Sequence, residues 1–562
     1  MLSVNLLASP SDVTGLALQF PYSAESVEQV RLCLGFSWDK NHKVWKSSGP
    51  EPLLDMERFA IQPAWVSKEA REIAEDFRQQ LWDVMDARVE DYHDELYGYQ
   101  KQGSKIIASM PFSILADEVG CGKSKQALDA AIDILHADKI LVLAPKTLCY
   151  NWMDEVHKWH PNIKAGVLPD TTSERKHHKE DISRSRFWEN FPQITIANYE
   201  KLLAKDWPYE IEWDVVICDE AVRLKTATTF IYKAVKKVFA RTKCAWCLTG
   251  TPLEIRLSEL YNILCLLRPS VLGNYMRFKD HHLVTDWAGS IVGAKNIPLL
   301  RERISPFMLR RTKAEVLSML PPKLPPQNFF VKLSHAEDTA YKAFTAEFNN
   351  WLTERGISGK GNPLTETLRM RQFCCTPWLF TEELGRGSKF EALKQFIDDW
   401  PGQIVVFSFF EQVIDLLQQW LDTNPEAVIS GKVTSDNGER IRRAKEFNEG
   451  RLGKVFLSTD AGGMGINLIG ADCIVHFDQG NWNPQRKNQR TGRLHRIGQI
   501  NRVQEVNMMC IDTIDYGQYQ LYQEEEALFE SVVEGSEIAL LKKLDAPRWR
   551  RLVEGKLNGG RD

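Results

Sequence analysis

The sequence predicts an α/β protein with two parallel-sheet lobes, helical insertions between them and a small α+β module at the N-terminus. Three observations carry that expectation. Buried-strand runs KILVLAP, QITIAN and DVVICDE alternate with helical stretches between Tyr97 and Leu267, the pattern of a parallel sheet covered by helices. A second series, QIVVFSFF, KVFLST and CIVHFD, repeats the pattern further along the chain. Between them, the stretch from Arg268 to Gly387 loses the alternation and carries Pro321-Pro322, Pro325-Pro326 and GISGKGN, which are turn and connector signals.

In chain order, residues 1–62 form the small module, because short apolar and aromatic stretches there are broken at Ser9-Pro10, Pro21 and Asp39-Lys40-Asn41. A charge-rich helical connector is expected over 63–95, the first lobe over 96–267, and helical insertions with the inter-lobe linker over 268–387. The second lobe follows over 388–530, and a helical tail over 531–562. A chain of 562 residues is too long for one ordinary domain.

Composition narrows the function. With 43% hydrophobic and 26% charged residues the chain has material for more than one core, which excludes large-scale disorder. A formal net charge of -4 excludes attachment to nucleic acid by bulk positive charge, so any DNA contact must be a local basic surface. No apolar stretch approaches the roughly 20 residues that cross a bilayer, so no membrane role is expected. Met1 to Pro10 lacks a signal-peptide pattern, and 11 scattered cysteines fit a reducing, intracellular setting. Cys244 and Cys247 have metal-ligand spacing, but no second pair or His cluster accompanies them, and KCAWCLTG reads as a buried strand.

The segment SILADEVGCGKSKQAL joins an apolar strand to a helix through Gly120, Cys121, Gly122, Lys123 and Ser124. Small residues let backbone N–H groups wrap a phosphate chain, and the helix N-terminus favours the anion. Lys123 can then reach the terminal phosphates and Ser124 can bind Mg²⁺. Asp117 stands where a phosphate loop normally has its first glycine. About a hundred residues on, the strand DVVIC delivers Asp219 and Glu220 at its carboxyl end, where ligands of parallel sheets bind. One carboxylate can hold Mg²⁺ while its neighbour orients or deprotonates the attacking water. A solvated acidic turn is the alternative reading.

In order from Tyr97 to Gln520, the segments LYGYQKQG, LADEVGCGKS, LVLAPKTLCYNW, ITIANYE, VVICDEA, LTGTPL, MLRRTKAEV, LRMRQFCC, IVVFSFF, STDAGGMGINL and NPQRKNQRTGRLHRIGQ resemble the Swi/Snf-type branch of superfamily two helicases. The resemblance implies two RecA-like lobes, ATP and Mg²⁺ as ligands, and hydrolysis coupled to movement along double-stranded DNA. By it, Arg493 and Arg496 are arginine fingers and Gln100 reads the adenine edge beside Tyr99. Gly465 joins the nucleotide site, and Thr249, Gly250 and Thr251 couple the two activities. A guanidinium brought in by a second lobe stabilises charge on the transferring phosphoryl group. DNA contacts are expected from Lys146, Asn198, Tyr199, Ser408, Ser458, Thr459 and Trp482, chiefly to phosphate oxygens and without base preference. Two departures stand out: Val222 replaces the family's usual His after Asp-Glu-Ala, and Glu254-Ile255-Arg256 replaces an Asn after Thr-Pro-Leu.

The stretch FPYSAESVEQVRLCLGFSWDKNHKVWKS resembles the HARP-type module of annealing helicases, in Phe20-Pro21-Tyr22, Trp38-Asp39 and Lys43-Val44-Trp45. Its aromatics are expected either to stack on unpaired bases at a fork or to form the core of a very small domain. The combined expectation is a monomeric translocase that remodels or anneals branched DNA in replication, repair or recombination, in a prokaryote or a virus-infected host rather than a nucleus. The alternatives are a strand-separating helicase on DNA or RNA and a nucleotide-gated DNA-binding protein with weak turnover.

Overall fold

The structure, a computed structural model, describes residues 98–520 apart from 170–190, 205–206, 251–256, 286–290, 318–319, 322, 356–362, 422–426, 430–436, 461–465, 479–483 and 497. Before residue 98 it describes short stretches within 4–79. The chain divides into two compact units, Met1–Thr312 and Lys313–Asp562.

The first unit opens with a five-stranded sheet of β1 (Val4–Leu7), β2 (Ala17–Gln19), β3 (Ser37–Asp39), β4 (Val44–Lys46) and β5 (Pro63–Val66), in the order β3-β4-β2-β1-β5. The helical connector expected from residue 63 therefore begins with a strand, β5, paired parallel to β1. Helix α1 (Gly98–Ala108) leads into a seven-stranded sheet. Its strands are β6 (Phe112–Leu115), β7 (Ile140–Ala144), β8 (Ala165–Val167), β9 (Ile194–Asn198), β10 (Trp213–Cys218) and β11 (Thr242–Leu248), completed later by β14. All pairings in it are parallel and the order is β14-β6-β11-β10-β7-β9-β8. The central strands read as continuous apolar runs because both faces are covered, by helices α2 (Lys123–Asp129), α3 (Cys149–Trp159) and α4 (Phe230–Phe239) among others. Cys244 and Cys247 lie buried within β11, as the strand reading anticipated.

The stretch expected to be insertions and linker is shared between the units. After helix α5 (Leu257–Leu267), which ends the expected first lobe, α6 (Tyr275–His282), the hairpin β12 (Leu283–Thr285) and β13 (Ile291–Ala294), and α7 (Ile297–Ile304) lead to β14 (Met308–Leu309), which pairs with β6. The N-terminal module is docked on this stretch. Arg268 donates to Glu51 at 2.8 Å and to the Phe112 carbonyl at 2.8 Å, Ser270 bonds the same carboxylate, and Arg277 donates to the Phe36 carbonyl at 2.6 Å.

In the second unit, β15 (Gln327–Val331), β16 (Ile404–Ser408), β17 (Ala427–Ile429), β18 (Val455–Thr459), β19 (Cys473–His476) and β20 (Gln504–Cys510) form a parallel sheet, in the order β15-β20-β19-β16-β18-β17. Helices α8 (His335–Arg355), α9 (Pro363–Cys375), α10 (Ser388–Asp399), α11 (Glu411–Leu421), α12 (Asn437–Asn448) and α13 (Pro484–Thr491) accompany it. Strand β15, from the expected linker, supplies one edge. Two α/β lobes of the expected class are thus present. No helix among the described residues is long and apolar enough to cross a membrane.

Candidate nucleotide site

Strands β6, β11, β10 and β7 are consecutive neighbours, so four chain segments leave the first sheet side by side at its carboxyl edge. They are the phosphate loop after Leu115, Thr249-Gly250 after Leu248, Asp219-Glu220 after Cys218, and the turn at Lys146. This is where parallel α/β sheets bind ligands.

Gly120 and Gly122 hold φ of 93° and 73°, and Gly122 precedes the first residue of α2, so the loop turns into the helix through conformations that side chains rarely adopt. A Cβ on Gly122 would lie 2.2 Å from Gln100 Nε2, and one on Gly250 would lie 2.4 Å from Val119 Cγ2. Both glycines are therefore required by close approach, one under the α1 glutamine and the other against the loop. Lys123, half-buried, donates from Nζ to the carbonyls of Asp117 at 2.7 Å and Glu118 at 3.2 Å, which places the ammonium inside the loop.

The unusual Asp117 is explained by the fold. It is fully buried, with its carboxylate facing Arg311 just beyond β14 and accepting from Gln126 of α2 at 3.1 Å. Arg311 also donates to Gln126 Oε1 at 2.7 Å and to the Tyr99 carbonyl at 2.6 Å, and lies over the Tyr99 ring at 5.4 Å. One guanidinium thus ties the loop, the helix after it and the Tyr99-Gln100 corner together. Burial and the neighbouring Cys121 push the Tyr99 phenol well above its ordinary value, so it stays protonated and donates to the Cys121 carbonyl at 3.0 Å. Gln100 donates to the same carbonyl at 3.2 Å, while its Oε1 is buried with no hydrogen-bond partner. An orphaned acceptor there fits an amino group on a bound ring.

Asp219 and Glu220 are half-buried. Asp219 Oδ2 accepts from Trp152 Nε1 at 2.8 Å and Oδ1 from the Glu220 backbone N–H at 2.9 Å. Glu220 has φ of 47°, a left-handed conformation that is uncommon outside glycine and costs on the order of 1 kcal/mol or more. The Ser124 hydroxyl and Asp219 carboxylate are hard oxygen donors of the kind Mg²⁺ takes, beside a lysine suited to phosphate, so the donor set fits a Mg²⁺–nucleotide pair.

Several residues expected to touch DNA face inward. Tyr199 is fully buried and donates to the Asp219 carbonyl at 2.7 Å, so it supports the acid pair. Asn198 caps the following turn by accepting from the Lys201 N–H at 3.0 Å. Ser408 is buried against Asp478 at 2.5 Å, and Ser458 bonds the Thr459 carbonyl at 3.0 Å. These hydroxyls and amides brace strand ends, a job short polar side chains do at such positions. Thr459 and Thr249 are also buried, whereas Lys146 is exposed. Thr251, Gly465 and Trp482 lie outside the described residues, as does the 254–256 run.

In the second unit, Arg490 is buried, with Nη2 donating to Asp460 Oδ2 at 3.0 Å and its guanidinium over the Phe407 ring at 5.4 Å, a structural role. Arg493 and Arg496 are half-buried, and Arg496 donates to Asn467. Helix α13 is pinned from below by Glu505 on β20, which contacts Lys487 at 3.1 Å, Lys323 at 2.5 Å and the Thr491 hydroxyl at 3.2 Å. Burial favours a neutral Glu505 carboxyl, but His476 and the two lysines outweigh it and hold the group far below the usual range. Arg311, Trp152, Gln126 and Glu505 were missed by sequence reasoning; only the RR of MLRRTK and the W of LCYNW marked two of them.

A family model described as the SNF2-related domain matches residues 65–379, and one described as the helicase conserved C-terminal domain matches residues 388–498. The chain belongs to the SNF2-related family, with the helicase C-terminal domain following. It is 32% identical over 452 residues to an uncharacterized ATP-dependent helicase of Mycoplasma pneumoniae, covering 77% of this chain and 42% of that protein. It is 27% identical over 483 residues to the ISWI chromatin-remodeling complex ATPase ISW1 of Saccharomyces cerevisiae, covering 80% of this chain and 41% of that one. The chain therefore spans less than half the length of these curated relatives. The SWI2/SNF2 ATPase core of Sulfolobus solfataricus, solved in complex with double-stranded DNA, is 26% identical and covers 83% of this chain and 99% of that one, at a TM-score of 0.38. The fold assignment rests on the two sheets themselves.

Proposed function

We propose that the chain is a DNA-dependent ATPase that moves along double-stranded DNA. The observation that carries this reading is the meeting of Lys123, Gly250 and the Asp219-Glu220 pair at one edge of four adjacent strands, in a member of the SNF2-related family.

In the proposed reaction, Lys123 would exchange its loop carbonyls for the terminal phosphates, Ser124 and Asp219 would hold Mg²⁺, and Gln100 Oε1 would accept from the adenine amino group. An ion held by these two residues would supply positive charge against the charge developing on the phosphates. Glu220 orients and deprotonates the attacking water. Arg493 and Arg496 act as fingers on the transferring group, and Lys146 contacts the DNA backbone. Thr249, Gly250 and Thr251 link nucleotide state to DNA contact, and Gly465 and Trp482 complete the nucleotide and DNA sites respectively.

Membership of the SNF2-related family supports DNA as the partner, and the motif resemblance takes it to be double-stranded. The substrate is taken further to be branched or fork DNA, remodelled or annealed with the help of the N-terminal module, whose Trp38 is about half exposed on Trp45 at 5.7 Å. Phosphate release with and without duplex DNA tests the ATPase, and triplex displacement on blunt duplex tests translocation. Unwinding of tailed duplexes without triplex displacement would favour a strand-separating helicase. Trp38→Ala, which leaves the Glu51–Arg268 contact intact, should lower stimulation by forked DNA relative to linear duplex. Equal stimulation by both would remove the fork reading.

A further inference from the structure

The indole of Trp152 reaches across from α3 to the acid pair, 67 positions away in sequence, and donates to Asp219 Oδ2 at 2.8 Å. It is almost wholly buried. A buried indole N–H requires a partner, and here that partner is the carboxylate read above as the metal ligand. A carboxylate offers about four acceptor directions, so one can be fixed by an N–H while the group still binds a cation. With Glu220 N–H on the other oxygen, the carboxylate plane is set from two sides, and Tyr199 fixes the backbone carbonyl of the same residue.

Two neighbours give this contact meaning beyond packing. Helix α3 follows directly from the short turn Lys146–Leu148 at the end of β7, and Lys146 is the exposed cation of that turn. Tyr199 likewise opens the turn after β9. Meanwhile Val222 stands where the family resemblance would place a histidine, and it has no group with which to bond.

We propose that Trp152 is a positioning residue for Asp219, and that it joins the Lys146 segment to the metal site. The inference rests on the reading of Asp219 as the Mg²⁺ carboxylate. Groups that orient a metal ligand in this way change metal affinity or activity by about 10–100-fold when removed.

The test uses Mn²⁺ with ADP, followed by electron paramagnetic resonance of bound Mn²⁺, on the full chain. Trp152→Phe should weaken Mn²⁺ binding in the presence of ADP by about 10-fold while leaving ADP affinity in EDTA unchanged. The duplex-stimulated rise in turnover should shrink in the same variant. If Asp219→Ala loses Mn²⁺ and Trp152→Phe binds it as tightly as the parent, the positioning role is wrong and the metal reading stands. If Asp219→Ala also binds normally, the metal reading itself is wrong. A direct readout covers the case in which Trp152→Phe does not fold. In ¹⁵N-indole-labelled parent chain, one N–H resonance should move on adding Mg²⁺ with ADP, and Asp219→Ala should displace that same resonance. No indole resonance moving on adding Mg²⁺ with ADP would overturn the proposal.

Discussion

Arg311 grips the carboxylate of Asp117 with two nitrogens, Nε at 3.1 Å from Oδ1 and Nη2 at 2.6 Å from Oδ2. The aspartate is fully buried and 194 positions distant in sequence. Removing one partner of such a pair strands the other charge, at a cost of about 3–5 kcal/mol. Arg311→Met should lower the unfolding free energy of the first unit by that order, read from urea denaturation. Asp117→Asn with Arg311→Met should recover part of the loss, since no unpaired charge is left. A single variant as stable as the parent would mean that the pair does not hold the loop.

Gly250 approaches Val119 too closely for any side chain. Valine is stiff about χ1, so a methyl group there must push the phosphate loop. Gly250→Ala should reduce ATP turnover by up to about 100-fold, the scale of a 1 Å misplacement at a reacting centre. Adding Val119→Ala should restore much of it. Phosphate-release rates of the three chains decide the matter, and an active single variant would contradict the contact.

Lys123→Ala should abolish hydrolysis, whereas Glu220→Gln should bind ATP and fail to release phosphate. Filter retention of labelled ATP beside phosphate release separates the two outcomes. Rapid turnover by Glu220→Gln would assign the water to another group.

Burial lowers the pKa of His476 to about 4 in the folded chain, against an ordinary value of about 6.5. Between those values the unfolded chain binds a proton that the folded chain does not, so stability rises with pH across this window and is lost as pH falls through it. Glu505, held far below its ordinary value, acts in the same direction at lower pH. Thermal unfolding of the second unit should move to lower temperature from pH 7 to pH 5, and His476→Gln should flatten that slope. An equal slope in both chains would remove His476 as the cause.

Much of this was legible before any coordinates. Strands such as ILVLA and VVIC announce themselves because both faces of a parallel sheet are apolar, and the loop at Gly120–Ser124 and the acids at 219–220 sit at strand ends. What stayed hidden were contacts closed by the fold over long separations. Asp117 departs from the phosphate-loop pattern for a reason that only Arg311 supplies, and nothing in ITIANYE marks the bond from the Tyr199 hydroxyl to Asp219. Short polar residues at strand ends, such as Ser408 and Ser458, carry no sequence mark that separates a brace from a ligand contact. Strands β14 and β15, within the expected linker, are short segments whose sheet membership depends on partners far away.

The proposed hydrolysis requires the Arg496 guanidinium at the transferring phosphoryl group. Steady-state ATP turnover of Arg496→Ala on duplex DNA, with ATP affinity measured alongside, tests this most directly. Turnover should fall by about 10³-fold or more while affinity holds, as for other arginine fingers. Turnover at the parent rate would show that hydrolysis proceeds without Arg496.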